Sequence, residues 1–148
     1  MKMIEFEVKI PIMCPIDNVF NFVSHGENLS TWNSAVKHVT KLTEGPVNKG
    51  TKYKMVRELP NGRSEITLEI SKYHPNSKIT IQTKTGPTPF VYHYSFKPKG
   101  DTTRVSLRTE IDEDGLPFRL PKFLASRAIK KGVKDNLETL KLIMESTC

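Results

Sequence analysis

The sequence is short of the features that most readily announce a function. Its 148 residues hold two cysteines, Cys14 beside Pro15 and Cys148 at the final position. Two thiols so placed make a poor disulfide framework and predict a reducing, cytoplasmic setting. No apolar run approaches the roughly 20 residues needed to cross a bilayer. The opening Met1-Lys2-Met3-Ile4-Glu5 alternates polar and apolar residues, which is not the pattern of a signal peptide. Repeats, low-complexity tracts and linkers are missing, so the expectation is a single domain over residues 1–148. Catalytic signatures are missing too. There is no Gly-x-Ser-x-Gly nucleophile motif. No pair among His25, His38, His74 and His93 has metal-ligand spacing. Neither a metal nor a cofactor is expected, and no catalytic residue is assigned.

What is present is a globular balance, 36 % hydrophobic and 26 % charged, which separates the chain from disordered sequences. The net charge of +7 raises the question of a polyanion partner. The lysines are spread along most of the chain, so the charge reads first as a solvated basic surface, and no nucleic-acid partner is expected.

Period-2 alternation dominates. Ile4, Phe6, Val8 and Ile10 alternate with Glu5, Glu7 and Lys9, the pattern of a half-buried strand. Pro15 suits a helix start, and Ile16, Val19, Phe20 and Val23 fall on one helical face. A second short helical piece is predicted over Asn28 to Ser34, with Leu29 and Trp32 inward. From Val36 to Ile111 strands alternate with turns such as Pro60-Asn61-Gly62 and His74-Pro75-Asn76. Short connections favour antiparallel neighbours with one face to water. The other face needs a cover, and the segment from about Pro121 to Glu145 provides it. Ile129, Val133, Leu137, Leu140 and Met144 form its apolar stripe. Gly132 in the middle of that helix costs about 1 kcal/mol relative to alanine. It reads equally as a close approach to a neighbour or a bend over a cavity, or as a tolerated glycine on a well-packed helix.

The order strand, two short helices, six strands, long helix resembles the START-related and polyketide cyclase/dehydrase (SRPBCC) superfamily. The Pro15-Ile16-Asp17-Asn18-Val19-Phe20 opening resembles its first helix, and Asn28 with Trp32 its second. The Gly50-Thr51-Lys52-Tyr53 lead-in, the Tyr73-His74-Pro75 bend and the Thr102-Thr103-Arg104-Val105 strand fit as well. The resemblance implies an α+β helix-grip fold. In it a curved antiparallel sheet of about seven strands surrounds a long C-terminal helix, with two short helices between strands 1 and 2. It also implies a cavity between sheet and helix. Members include lipid carriers, hormone and quinone binders, aromatic cyclases and chaperone activators, so the fold alone does not select a role.

The favoured function is binding or carrying a small hydrophobic molecule, a lipid, isoprenoid or aromatic polyketide. The alternatives are a cyclase or dehydratase and a chaperone-activator type of interaction module. Inward parity places Tyr53, Met55, Leu68, Ile81, Tyr94 and Leu107 on the sheet side of the cavity, with Ile129 and Val133 on the helix. Tyr53, Thr83, Tyr92, Tyr94 and Thr109 would orient a ligand. The row Phe90, Tyr92, Tyr94, Phe96 reads first as core packing, but core and pocket share a wall here. Arg57 is inward by parity and meets no acid on the facing rows. Its ordinary reading is a head that snorkels to water near the Pro60-Asn61-Gly62 turn. The other reading is an anionic ligand. The stretch Leu116 to Leu124 reads as a lid. With Phe118, Arg119, Lys122 and Phe123 it offers weak contact to an anionic membrane.

Overall fold

The computed structural model describes residues 3–59, 62–85, 89–112 and 121–148. Strand β1 (Met3–Ile12) is followed by helix α1 (Ile16–Ser24), a 3₁₀ turn (Gly26–Asn28) and a single helical turn, α2 (Leu29–Trp32). Then come β2 (Val36–Lys41), β3 (Lys52–Leu59), β4 (Gly62–His74), β5 (Lys78–Thr83), β6 (Phe90–Lys99), β7 (Thr102–Asp112) and helix α3 (Lys122–Thr147). The strands form one antiparallel sheet in the order β1-β7-β6-β5-β4-β3-β2. This is the helix-grip architecture the alternation and the resemblance imply.

Local chemistry sets the boundaries. Pro15 stands just before α1, and its carbonyl accepts the backbone N–H groups of Asn18 and Val19. The predicted second helix contracts to the 3₁₀ turn plus α2, because extended backbone at Asn33 stops it. Asn76, with φ of 59°, turns the β4–β5 hairpin in the left-handed region that asparagine tolerates. The register of β4 against β5 shifts between Ile70 and Lys72, and that of β2 against β3 between Val36 and His38. Such bulges bend strands and strengthen twist, which curves the sheet.

The inward rows are buried, among them Ile66, Leu68 and Ile70 on β4 and Val105, Leu107 and Ile111 on β7. The outward rows carry the charges. Arg108 bridges Glu5 and Glu110, and Glu110 also faces His93. At 26 residues, α3 runs roughly 39 Å. Its close backbone approach is to β1, at one edge of the sheet.

One expectation is overturned. The two thiols predicted to stay apart are brought together as a Cys14–Cys148 disulfide, with Cα atoms 5.7 Å apart. Position along the chain misled, because α3 runs in the same direction as β1, with Lys141 beside Pro11 and Glu145 beside Met13, and so ends beside the β1–α1 junction. The argument from cysteine to a reducing compartment loses its ground.

Candidate functional site

Because α3 rests on β1, the space it spans over β3 to β6 is left partly open. A cavity of about 230 Å³ occupies it. Met55, Arg57 and Leu59 come from β3, Leu68 from β4, Ile81 from β5, Phe90, Tyr92 and Tyr94 from β6, and Ile111 from β7. Leu29 and the 33–35 turn close one side, and Ile129, Gly132, Val133 and Asn136 of α3 form the roof. The Asn136 side-chain carbonyl accepts the Ser34 backbone N–H at 3.2 Å and pins the roof to that turn. An ideal Cβ on Gly132 meets nothing within 4 Å. The glycine therefore does not serve a close helix contact; it leaves room at the cavity's edge.

Eight of the twelve predicted ligand-contacting residues lie on this cavity: Met55, Arg57, Leu68, Ile81, Tyr92, Tyr94, Ile129 and Val133. Four do not. Tyr53 is buried with its ring against Gly26, where a Cβ would come within 3.0 Å, so it packs the 3₁₀ turn. Thr83 closes the β5–β6 pair through its hydroxyl, which accepts the Phe90 N–H at 3.1 Å. Leu107 and Thr109 are buried in the solid packing nearer the β1 edge. Parity told which way these four point, and it carried no information on where the curved sheet and helix separate. Phe90 and Ile111 share the parity signal and were recoverable from it. Asn136 was recoverable as Ile129 plus seven on one helix face. The 33–35 turn had no such signal.

The polar groups of the cavity are few. Burial pushes the Tyr92 and Tyr94 hydroxyls above the usual tyrosine range, and the nearby Arg57 charge partly offsets this at Tyr92. Both therefore stay neutral. Arg57 is half-buried: its Nε and Nη2 atoms are enclosed with no hydrogen-bond partner, and its guanidinium carbon stands 5.4 Å from the Phe90 ring centroid. Desolvation pulls its pKa down from the usual arginine value, while Tyr92 acts in the opposite direction. Phe90 and Tyr92 stack at 4.5 Å, so the arginine lies at the end of an aromatic shelf.

A second hollow, of about 830 Å³, is bounded by α1, the β4–β5 bend and the end of α3. It is open and lined by Asp17, Asn21, His25, Glu27 and Asn76 among others, so water competes for every contact there. Among the described residues no three His, Cys, Asp or Glu side chains come together as a metal site. Nor is any helix there long and apolar enough to cross a membrane. Of the four residues expected to touch a membrane, Phe118 and Arg119 lie outside the described residues. Lys122 and Phe123 are exposed at the start of α3.

Comparison with known proteins agrees with this architecture. A START superfamily protein from Mycobacterium smegmatis superposes with a TM-score of 0.82 at 13 % identity, covering 97 % of this chain and 99 % of its own. The Streptomyces aromatase/cyclase Zhui gives 0.76 at 14 %, covering 97 % and 94 %. A protein of Thermus thermophilus gives 0.72 at 17 %, covering 96 % and 94 %. At such identities the likeness is one of fold. A search of curated proteins by sequence found no match. The model of one family, described as polyketide cyclase / dehydrase and lipid transport, matches residues 3–145. Sheet, gripping helix and a sequence match over nearly the whole length lead to one assignment: the chain belongs to the polyketide cyclase/dehydrase and lipid transport family.

Proposed function

We propose that the chain binds a small apolar molecule in the cavity between β3–β6 and α3. The observation that carries this reading is the cavity itself, walled by Leu68, Ile81, Tyr94, Ile129 and Val133 and left unfilled by the protein's own side chains. An interaction module of the chaperone-activator kind has no need of such a void. The volume narrows the ligand. Cavities of about 150 Å³ hold benzene, and drug-sized pockets begin at about 300 Å³. A space of about 230 Å³ suits one or two rings or a short chain, and it is too small for a two-tailed lipid. Apolar contact supplies the affinity, at about 25 cal/mol per Å² buried before the costs of binding. A cyclase or dehydratase reading would use the same pocket, with Tyr92 or Tyr94 as a weak acid and positioning as the main effect. Weak association of Lys122 and Phe123 with anionic lipid would bring the pocket's helix to a membrane.

The test is thermal unfolding and dye displacement with flat aromatics, isoprenoids and fatty acids, on wild type and on Gly132→Leu. A ligand at 100 times its Kd adds about 2.7 kcal/mol, or roughly 5–10 °C in Tm for a domain of this size. One- and two-ring compounds are expected to give such shifts, and Gly132→Leu, which fills the open edge, to reduce them. If no compound raises Tm or displaces the dye, the binding reading is wrong.

A further inference from the structure

We infer that the ligand of this cavity is a monocarboxylate whose acid group is held by Arg57; this rests on the binding reading above. The argument begins with which atoms of Arg57 are unmet. Nε and Nη2 are both buried and both lack a partner. These two atoms share one edge of the planar guanidinium. Their N–H bonds run parallel, at the spacing of the two oxygens of a carboxylate, so together they are a vacant bidentate fork. Leaving even one buried polar donor unmet is destabilising, and more so for a charged group. A protein that needed only an apolar pocket would be more stable with an aliphatic residue at this position.

The surroundings provide no internal partner among the described residues. Across the sheet Arg57 pairs with Val36 on β2 and Ser64 on β4, and its charge lies over the Phe90 ring. The described cavity lining includes no Asp or Glu. A ring face stabilises a cation without occupying its N–H edge, so Phe90 holds the guanidinium in place and leaves the fork free. Tyr92, near enough for its hydroxyl to feel the arginine's charge, is neutral and can donate a further hydrogen bond.

The same inventory sets the charge and shape of the ligand. The described lining has one cation and neither a lysine nor a second arginine. A single planar fork matches a monoanion with two coplanar oxygens. A phosphate dianion would enter with half its charge unmatched. Beyond the fork the walls are mostly apolar, with Leu68, Ile81, Ile129 and Val133, and the other polar groups there, Tyr94, Asn136, Asn33 and Ser34, carry no charge. The ligand is therefore two-ended, a carboxylate at the β3 and Phe90 end and an apolar body of one or two rings, or a short chain, beneath α3.

The experiment is a calorimetric titration of paired probes, benzoate with benzamide and naphthoate with naphthamide, against wild type, Arg57→Met and Arg57→Lys. Wild type is expected to bind each acid at least about tenfold more tightly than its amide. Arg57→Met should weaken the acids by roughly 10- to 150-fold, the range of a hydrogen bond to a charged group, and change the amides by less than about twofold. Arg57→Lys should restore only part of the preference, since an ammonium lacks the parallel pair of donors. Amides bound as tightly as acids by wild type would overturn the carboxylate and leave the pocket standing. An equal loss of acid and amide in Arg57→Met would show Arg57 to be structural and would overturn the proposal as well. If neither class binds folded wild type, the carboxylate and the binding reading fall together. The wild-type comparison needs no variant to fold.

Discussion

The two halves of α3 are held in opposite ways. In the C-terminal half Val133, Leu137, Leu140 and Met144 are buried at successive turns, and Leu137 and Leu140 are fully enclosed. The helix end is then tied down. Cys148 joins Cys14, Glu145 accepts the Met13 N–H at 2.8 Å, and Lys141 reaches both Glu145 and the Pro11 carbonyl. Before Val133, over Lys122–Gly132, only Ala125 is buried. Ile129 is half-buried over the cavity, while Phe123 and Leu124 are 65 % and 40 % exposed. One long helix thus combines an anchored end, which fixes its position over the sheet, with a lightly held end above the pocket. Segments with few buried apolar contacts open at the lowest free energy, so under the proposed binding function ligand passage is expected through the Lys122–Gly132 segment.

The sharpest way to break the contrast is to cut the anchor. A crosslink spanning 134 residues removes about 5 kcal/mol of chain entropy from the unfolded state, and losses on removal run about 2–5 kcal/mol. Urea unfolding of the oxidised protein, with and without reductant, should show a fall of that size. Cys148→Ser should match the reduced wild type and no longer respond to reductant. Indistinguishable midpoints would remove the disulfide from the anchor.

Paired truncations come next. Leu137→Ala leaves a void in closed packing and should cost about 2–5 kcal/mol. Ile129→Ala only enlarges a space that already exists and should cost about 1 kcal/mol or less, with the larger effect on ligand affinity. Denaturant midpoints at unchanged m values measure both. Equal costs would mean that the helix is held uniformly along its length.

How much of this was legible follows from what each pattern encodes. Alternation reports the face of a sheet, so Leu68, Ile81 and Tyr94 came out inward. The stripe from Ile129 to Met144 reports the face of a helix. Neither reports the distance between the two layers, and that gap separates Ile81, which lines the cavity, from Leu107, which lies in closed packing. It is set by α3 leaning on β1 and by bulges at residues 70–72 and 36–38, and neither bulge has a sequence mark. The disulfide was hidden for a similar reason, since a pairing across 134 residues exists only once the topology is known. Arg57 was legible as an oddity. Its burial was not, because the sequence does not show how far a strand end stands from water.

The smallest effect concerns Glu145. A carboxylate in the last turn of a helix faces the negative end of the dipole, which on its own is unfavourable. Here the hydrogen bond from Lys141 comes first and the Met13 N–H second, and together they hold the Glu145 carboxyl below the ordinary glutamate value of 4.5. A folded pKa below the unfolded one means that the unfolded chain binds the proton more readily. The contribution is therefore complete above the unfolded value and disappears as pH falls through the folded value. Both side chains are about a quarter exposed, so solvent screening keeps the gain to about 1 kcal/mol or less. Glu110 titrates in the same range, also held low because Arg108 and His93 outweigh its burial, so the wild-type acid profile cannot isolate one group. The difference between wild type and Glu145→Gln can, since Glu110 is common to both. Unfolding free energies at pH 7 should favour wild type slightly. The two curves should converge as pH falls below about 4.5, and added salt should narrow the gap at neutral pH. A gap that widens in acid would mean that Glu145 is not part of the anchor.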